Sequence, residues 1–313
     1  MAGVMSGRVT MAIFTVASLL AGGFATSINT PAGAVAAPEP QAQASGNCPE
    51  VAVVAARGNE FSHEEPSFLP DGTVTWGTNG ADNVRLSNFL SQADQRYHEQ
   101  TGENLMADVL VLGLAEEYFP ADIPLPAQPE GMEILQMVPQ VGQIISDIGR
   151  ALWDGVTIGT AGAKTVIETY EAATGCAPQY ILLGFSLGAM VLPPQEQWLA
   201  ERGQLAGAIY VGSPLQAPGK GQAIGVPSDT RGVLGHVPPR PDYLGHTAKR
   251  IYYCLEDDLV CDPSAAAIGT ALEDERGGPH DDYFDPAVAG EPDPDLELVS
   301  DTFASWVKQA QNS

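Results

Sequence analysis

The feature that most constrains this chain is a set of short apolar runs set between stretches of helical spacing. Val51 to Ala55, Met106 to Leu114, Tyr180 to Leu183, Ala208 to Val211 and Arg250 to Cys254 read as buried strands. Between the first two, Leu86, Phe89, Leu90, Ala93 and Tyr97 recur at helical spacing, and Gly102 ends that helix. Ile134, Met137, Val138, Val141, Ile144, Ile145, Ile148 and Leu152 line one helical face, with Pro139 near its start or kinking it. A separate helix fits Val156 to Ala173. Another begins at Leu187 and is broken or restarted by Pro193-Pro194. Leu296, Val299, Phe303, Trp306, Val307 and Ala310 mark a terminal amphipathic helix. Residues 63–80 and 116–131 read as loops, and 213–248 as a long Gly/Pro-rich excursion. Continuous apolar strands alternating with helices predict a mainly parallel sheet covered on both faces. That is a three-layer α/β/α sandwich.

The ends of the chain bound its setting. Arg8, an apolar run from Val9 to Ala25 and the small residues Ala34-Val35-Ala36 read as a signal peptide over residues 1–36. The alternative is a retained N-terminal anchor. Residues 37–47 read as a disordered Pro/Ala/Gln linker, and 48–313 as one domain. The four cysteines, Cys48, Cys176, Cys254 and Cys261, suggest two disulfides in an exported chain. Three pairings are open, and Cys254 and Cys261 are close enough to close a small loop. The 14 Lys+Arg against 39 Asp+Glu repel nucleic acid and anionic bilayers at long range. No nucleic-acid partner is expected. A secreted monomer is, with contact to the cell envelope as a further expectation.

Chemistry enters at Gly184-Phe185-Ser186-Leu187-Gly188, which follows a strand and precedes a helix. That is the context of a nucleophile elbow. The turn is tight, so the flanking glycines let strand and helix pack closely around a strained serine. The Leu187 N–H is placed to stabilise an oxyanion. A serine needs a base held by a third group. In elbow-bearing folds the order is serine, then acid, then histidine. His236 and His246 precede the last strand, so chain order favours His280. Asp257 and Asp258 both stand just past that strand, with Glu256 nearer to it. Spacing does not choose between the two aspartates. A calcium site using Asp257, Asp258 and Asp262 has no recognisable ligand loop. No metal or organic cofactor is expected.

These residues resemble the cutinase family of α/β-hydrolases, in its actinobacterial secreted branch. The likeness rests on Cys48 to Arg57-Gly58, the Gly184 to Ala189 elbow, the Cys254…Asp258-Leu259-Val260-Cys261 loop, and Pro279-His280 with Tyr283. It covers most of residues 48–310. The resemblance implies Asp258 as the acid, His280 as the base, and disulfides Cys48–Cys176 and Cys254–Cys261. It also implies an oxyanion hole from the Leu187 N–H and Asn59. Asn59 stands where the family usually has a small hydroxyl residue, and Leu187 where it usually has Gln. Extra length sits near 122–152 and 213–248, where it would wall or lid the site. The expected activity is that of a serine esterase cleaving acyl esters of lipids, short chains or polyesters. A cell-envelope phospholipase or thioesterase is the close alternative, and a non-catalytic envelope-binding module the distant one.

Overall fold

The computed structural model describes residues 48–59, 76–81, 83–121, 134–236, 249–273, 278–285 and 293–313, with the backbone alone for 134–151 and 271–273. The expected leader and linker, His246, and residues 122–133 and 237–248 of the two expected insertions lie outside the described residues.

The described strands are β1 (Val51–Ala56), β2 (Gly77–Thr78), β3 (Val109–Gly113), β4 (Gln179–Phe185), β5 (Leu205–Val211), β6 (Gln222–Ile224) and β7 (Arg250–Tyr253). They form one sheet in the order β2-β3-β1-β4-β5-β7-β6, and every pairing is parallel. The helices are α1 (Val84–Thr101), α2 (Ile134–Thr174), α3 (Gly188–Val191), α4 (Pro193–Glu201), α5 (Ala265–Glu273) and α6 (Pro294–Gln311).

A strand turns successive side chains to opposite faces, so a fully apolar strand needs cover on both. In β1, Val51, Val53 and Ala55 pack with Phe89 of α1 and Phe303 of α6. Ala52, Val54 and Ala56 pack with Ile167 of α2, Met190 of α3 and Leu199 of α4. The result is the three-layer α/β/α arrangement. A buried ion pair ties two of the layers together. Arg250 Nη2 of β7 lies 2.7 Å from Glu196 Oε2 of α4, and the Tyr210 hydroxyl of β5 donates to Glu196 Oε1 at 2.6 Å.

Three local features differ from the sequence expectation. The stretches 134–152 and 156–173 are one continuous helix, α2, with Pro139 in its second turn. Glycines inside it serve close packing rather than termination. A Cβ at Gly159 would stand 2.5 Å from the Phe119 ring, and one at Gly162 2.0 Å from the Tyr118 carbonyl oxygen. The expected loop and excursion each contain a short strand, β2 and β6. Two or three residues are too few to show a period. Helix α5 was likewise not foreseen.

The strand order positions the site. The connection after β1 leads to the β3 side of the sheet, and that after β4 leads to β5 on the other side. Connections that diverge in this way open a crevice at the C-terminal ends of β1 and β4. Gly58 and Ser186 lie at those two ends. A Cβ on Gly58 would sit only 3.2 Å from Ser186 Cβ.

Candidate active site

Ser186 follows β4 directly and has a positive φ of 51°. A non-glycine residue there carries strain, and its surroundings must hold it. Its N–H continues the parallel ladder to the Val211 carbonyl at 2.8 Å. The glycines two positions to either side cannot carry side chains. A Cβ on Gly188 would meet the Ala56 carbonyl oxygen at 2.0 Å, and one on Gly184 would meet Gly188 backbone at 2.7 Å. Glycine at both positions lets α3 start against the end of β1. Leu187 is buried by its side chain, and its N–H bonds no acceptor among the described residues.

His280 lies on a single 3-10 turn, Pro279–Asp281. Its Nε2 stands 2.9 Å from Ser186 Oγ. Its Nδ1 stands 3.0 and 2.9 Å from the two oxygens of Asp258. A carboxylate accepts only, so Nδ1 carries the proton and Nε2 is left to accept the serine O–H. His280 is partly exposed at 23%, whereas Asp258 is fully buried.

The disulfide Cys254–Cys261 closes the loop that bears Asp258, and Cys48–Cys176 ties the start of β1 to the end of α2. Within the loop the Val260 N–H donates to Asp258 Oδ1 at 2.9 Å, and the Tyr283 hydroxyl donates to Oδ2 at 2.7 Å. Burial, followed by the Asp258 charge, pushes the Tyr283 phenol well above its ordinary value, so it stays protonated. Cys254, Asp258 and Cys261 are close together. With both sulfurs bonded to each other, they offer no thiolate to a metal.

The structure separates the candidates that spacing left open. Asp257 turns away with a φ of 66° and accepts from the Thr270 hydroxyl at 2.9 Å. Glu256 and His236 are exposed. Asn59 is exposed one residue beyond Gly58, at the crevice. A recess of about 820 Å³ beside β6 is lined by Glu256, Asp257 and Asp262 and does not include Ser186.

Several residues at the site were not singled out from the sequence. Arg85 Nη1 donates to the carbonyls of Asp281, which ends the His280 turn, and Tyr283, just past it. Asn88 Nδ2 and Gln92 Nε2 donate to the Phe284 carbonyl at 2.9 and 3.3 Å. These three side chains share one face of α1. The Phe185 ring stacks on the His280 ring at 5.1 Å and carries the Arg85 guanidinium at 4.6 Å. Gly212, at the end of β5, has a φ of 55°, and a Cβ there would meet His280 Cε1 at 2.9 Å. A glycine ending a strand was the available signal for the last of these. The α1 face had none, because its polar residues read as solvated.

No protein-family model matches the chain, and no curated protein matches it. Among solved structures, a cutinase-like protein from Cryptococcus sp. matches with 15% identity, covering 83% of this chain and 96% of that chain, at a TM-score of 0.46. An acetyl xylan esterase matches with 14% identity, covering 84% of this chain and 99% of that chain, at 0.44. Trichoderma reesei cutinase, in complex with a phosphonate inhibitor, matches with 16% identity over 84% of this chain and 77% of that chain, at 0.37.

Proposed function

We propose that this chain is a secreted serine carboxylester hydrolase that works through an acyl-enzyme. The observation that carries the reading is the unbroken run of contacts from Ser186 Oγ through His280 to buried Asp258, each near 2.9 Å. His280 Nε2 takes the serine proton as Oγ attacks the ester carbonyl. Asp258 keeps the proton on Nδ1 and stabilises the imidazolium that forms. The Leu187 N–H and Asn59 are the donors assigned to the oxyanion. Collapse of the tetrahedral intermediate expels the alcohol, which takes the proton from His280. Water, deprotonated by the same imidazole, then releases the acid and regenerates Ser186.

Export is part of the proposal. Its supports are the two disulfides, which persist in oxidising compartments, and the leader-like residues 1–36. The test is hydrolysis of p-nitrophenyl butyrate by the wild type and by Ser186→Ala. A loss of at least about 10⁴-fold is expected. Equal rates would refute the catalytic reading and leave a non-catalytic envelope-binding module. A series of acyl chains from C2 to C16, with a thioester beside it, then separates a short-chain or polyester esterase from an envelope phospholipase or thioesterase.

A further inference from the structure

We infer that Tyr283 is a positioning residue that acts through Asp258 and sets the basicity of His280. The inference rests on the serine hydrolase reading for its kinetic part alone. Tyr283 is almost completely buried, at 1% exposure. Its hydroxyl accepts from the Leu255 N–H at 2.9 Å and donates to Asp258 Oδ2 at 2.7 Å. The Leu255 contact engages one side of the oxygen, so the phenol proton is turned to the carboxylate. That same Oδ2 is 2.9 Å from His280 Nδ1. The phenol and the imidazole therefore draw on one oxygen.

Two consequences follow from the chemistry. First, Asp258 has few other anchors. Apart from His280 and Tyr283, its carboxylate takes the Val260 N–H on Oδ1 and lies 3.1 Å from Cys261 Sγ, which has no proton to give. Without the phenol, rotation of the carboxylate is resisted mainly by Oδ1. Second, a donor on Oδ2 withdraws charge from one of the two oxygens that stabilise the imidazolium. Removing the donor strengthens that stabilisation and raises the imidazole pKa. The ring itself is held by Phe185 at 5.6 Å and Tyr253 at 5.7 Å, so the Phe variant keeps the packing. Other charged or titratable groups near the pair include Arg85, Asp281 and Asp282 at the His280 turn, Glu256 and Asp257 in the disulfide loop, and Asp262 just past it. Tyr253, packed on the Tyr283 ring, donates to Asp293. The substitution changes none of them.

The experiment compares the full chain with Tyr283→Phe. The His280 ring titration is followed by NMR, with His280→Asn to assign its signal. A rise of about 0.5 unit or more is expected. Turnover of p-nitrophenyl butyrate should fall about 10- to 100-fold in kcat, with KM within about twofold, as for loss of a hydrogen bond to a charged group. In the Asp258→Asn background the same change should cost nothing further. An unmoved or lowered His280 titration overturns the inference, even if turnover falls, because disturbed packing alone would slow the reaction. Should Tyr283→Phe not fold, 3-fluorotyrosine at 283 keeps the ring and strengthens the donor. The His280 pKa should then drop, and an unchanged value overturns the inference. If the wild type shows no Ser186-dependent turnover, the hydrolase reading fails while the titration still tests Tyr283.

Discussion

Gly212→Ala is a one-carbon test of how tightly the site is built. Gly212 has a φ of 55°, and its N–H donates to the Tyr253 carbonyl at 2.9 Å, which fixes the end of β5. Alanine in that conformation costs about 1–2 kcal/mol. The new methyl would also stand 2.9 Å from His280 Cε1 and 3.3 Å from both His280 Nδ1 and Asp258 Oδ2. Ordinary carbon contacts begin near ~3.5 Å, so the imidazole must retreat by roughly half an ångström or more. Misplacement of a reacting group by ~1 Å costs about 100-fold. We expect kcat/KM on p-nitrophenyl butyrate to fall about 10- to 100-fold, and Tm to drop by about 2–8 °C. The control is Gly219→Ala. Gly219 has a φ of 72° and nothing within 4 Å of its added Cβ. That variant bears the same backbone cost with no contact at the site. It should lose similar stability and keep wild-type kcat. Full activity in Gly212→Ala, or an equal loss of activity in Gly219→Ala, would refute the reasoning.

Three other outcomes are expected. Arg85→Ala with Asn88→Ala removes the Arg85 donors to the carbonyls of Asp281 and Tyr283 and the shorter of the two donors to that of Phe284, leaving Gln92. kcat should drop about tenfold and urea unfolding should show a loss of about 1–3 kcal/mol, while unchanged kcat would mean that the α1 face does not anchor His280. Burial pushes the Glu171 carboxyl up, but Arg202, Gln204 and Tyr180 outweigh it and hold the group below its ordinary 4.5. A depressed carboxylate contributes stability above its unfolded pKa and loses it as the pH falls through the folded value. The advantage of wild type over Glu171→Gln should thus be full at pH 7 and shrink below pH 4.5, as urea unfolding at several pH values would show. Loop-closure entropy ranks the disulfides. Removing Cys48–Cys176, with a separation of 128, should cost about 5 kcal/mol. Removing Cys254–Cys261, with a separation of 7, should cost about 2.5 kcal/mol.

Much of the layer architecture was legible from the chain. Val51 to Ala56 are apolar at every position because both faces of β1 are covered, and an unbroken run reports that directly. Gly102, with a φ of 77°, ends α1 as read. The continuity of α2 was not legible, because its apolar spacing reads as two helices, 134–152 and 156–173. Gly159 and Gly162 sit mid-helix because Phe119 and Tyr118 press on them, a contact 40 or more positions away along the chain. The short strands β2 and β6 gain their form from the neighbours that pair with them.

The division at the site has the same cause. By itself, the sequence determined what depends on local sterics. The elbow around Ser186 is marked by Gly184, where a side chain would collide with the Gly188 backbone four residues on, and by Gly188 itself, whose own neighbour is the distant Ala56 carbonyl. Chain order narrowed the histidines. What only the tertiary structure decided is which groups meet. Asp257 and Asp258 are equivalent by spacing, and one φ of 66° turns the first away while the second is buried beneath His280. His280 reaches Ser186 across a separation of 94 residues, on Asp258, which a buried tyrosine bonds, and on a turn tied to a helix face that reads as ordinary surface. Such contacts depend on strand order and loop closure, which the pattern along a single stretch of chain does not encode.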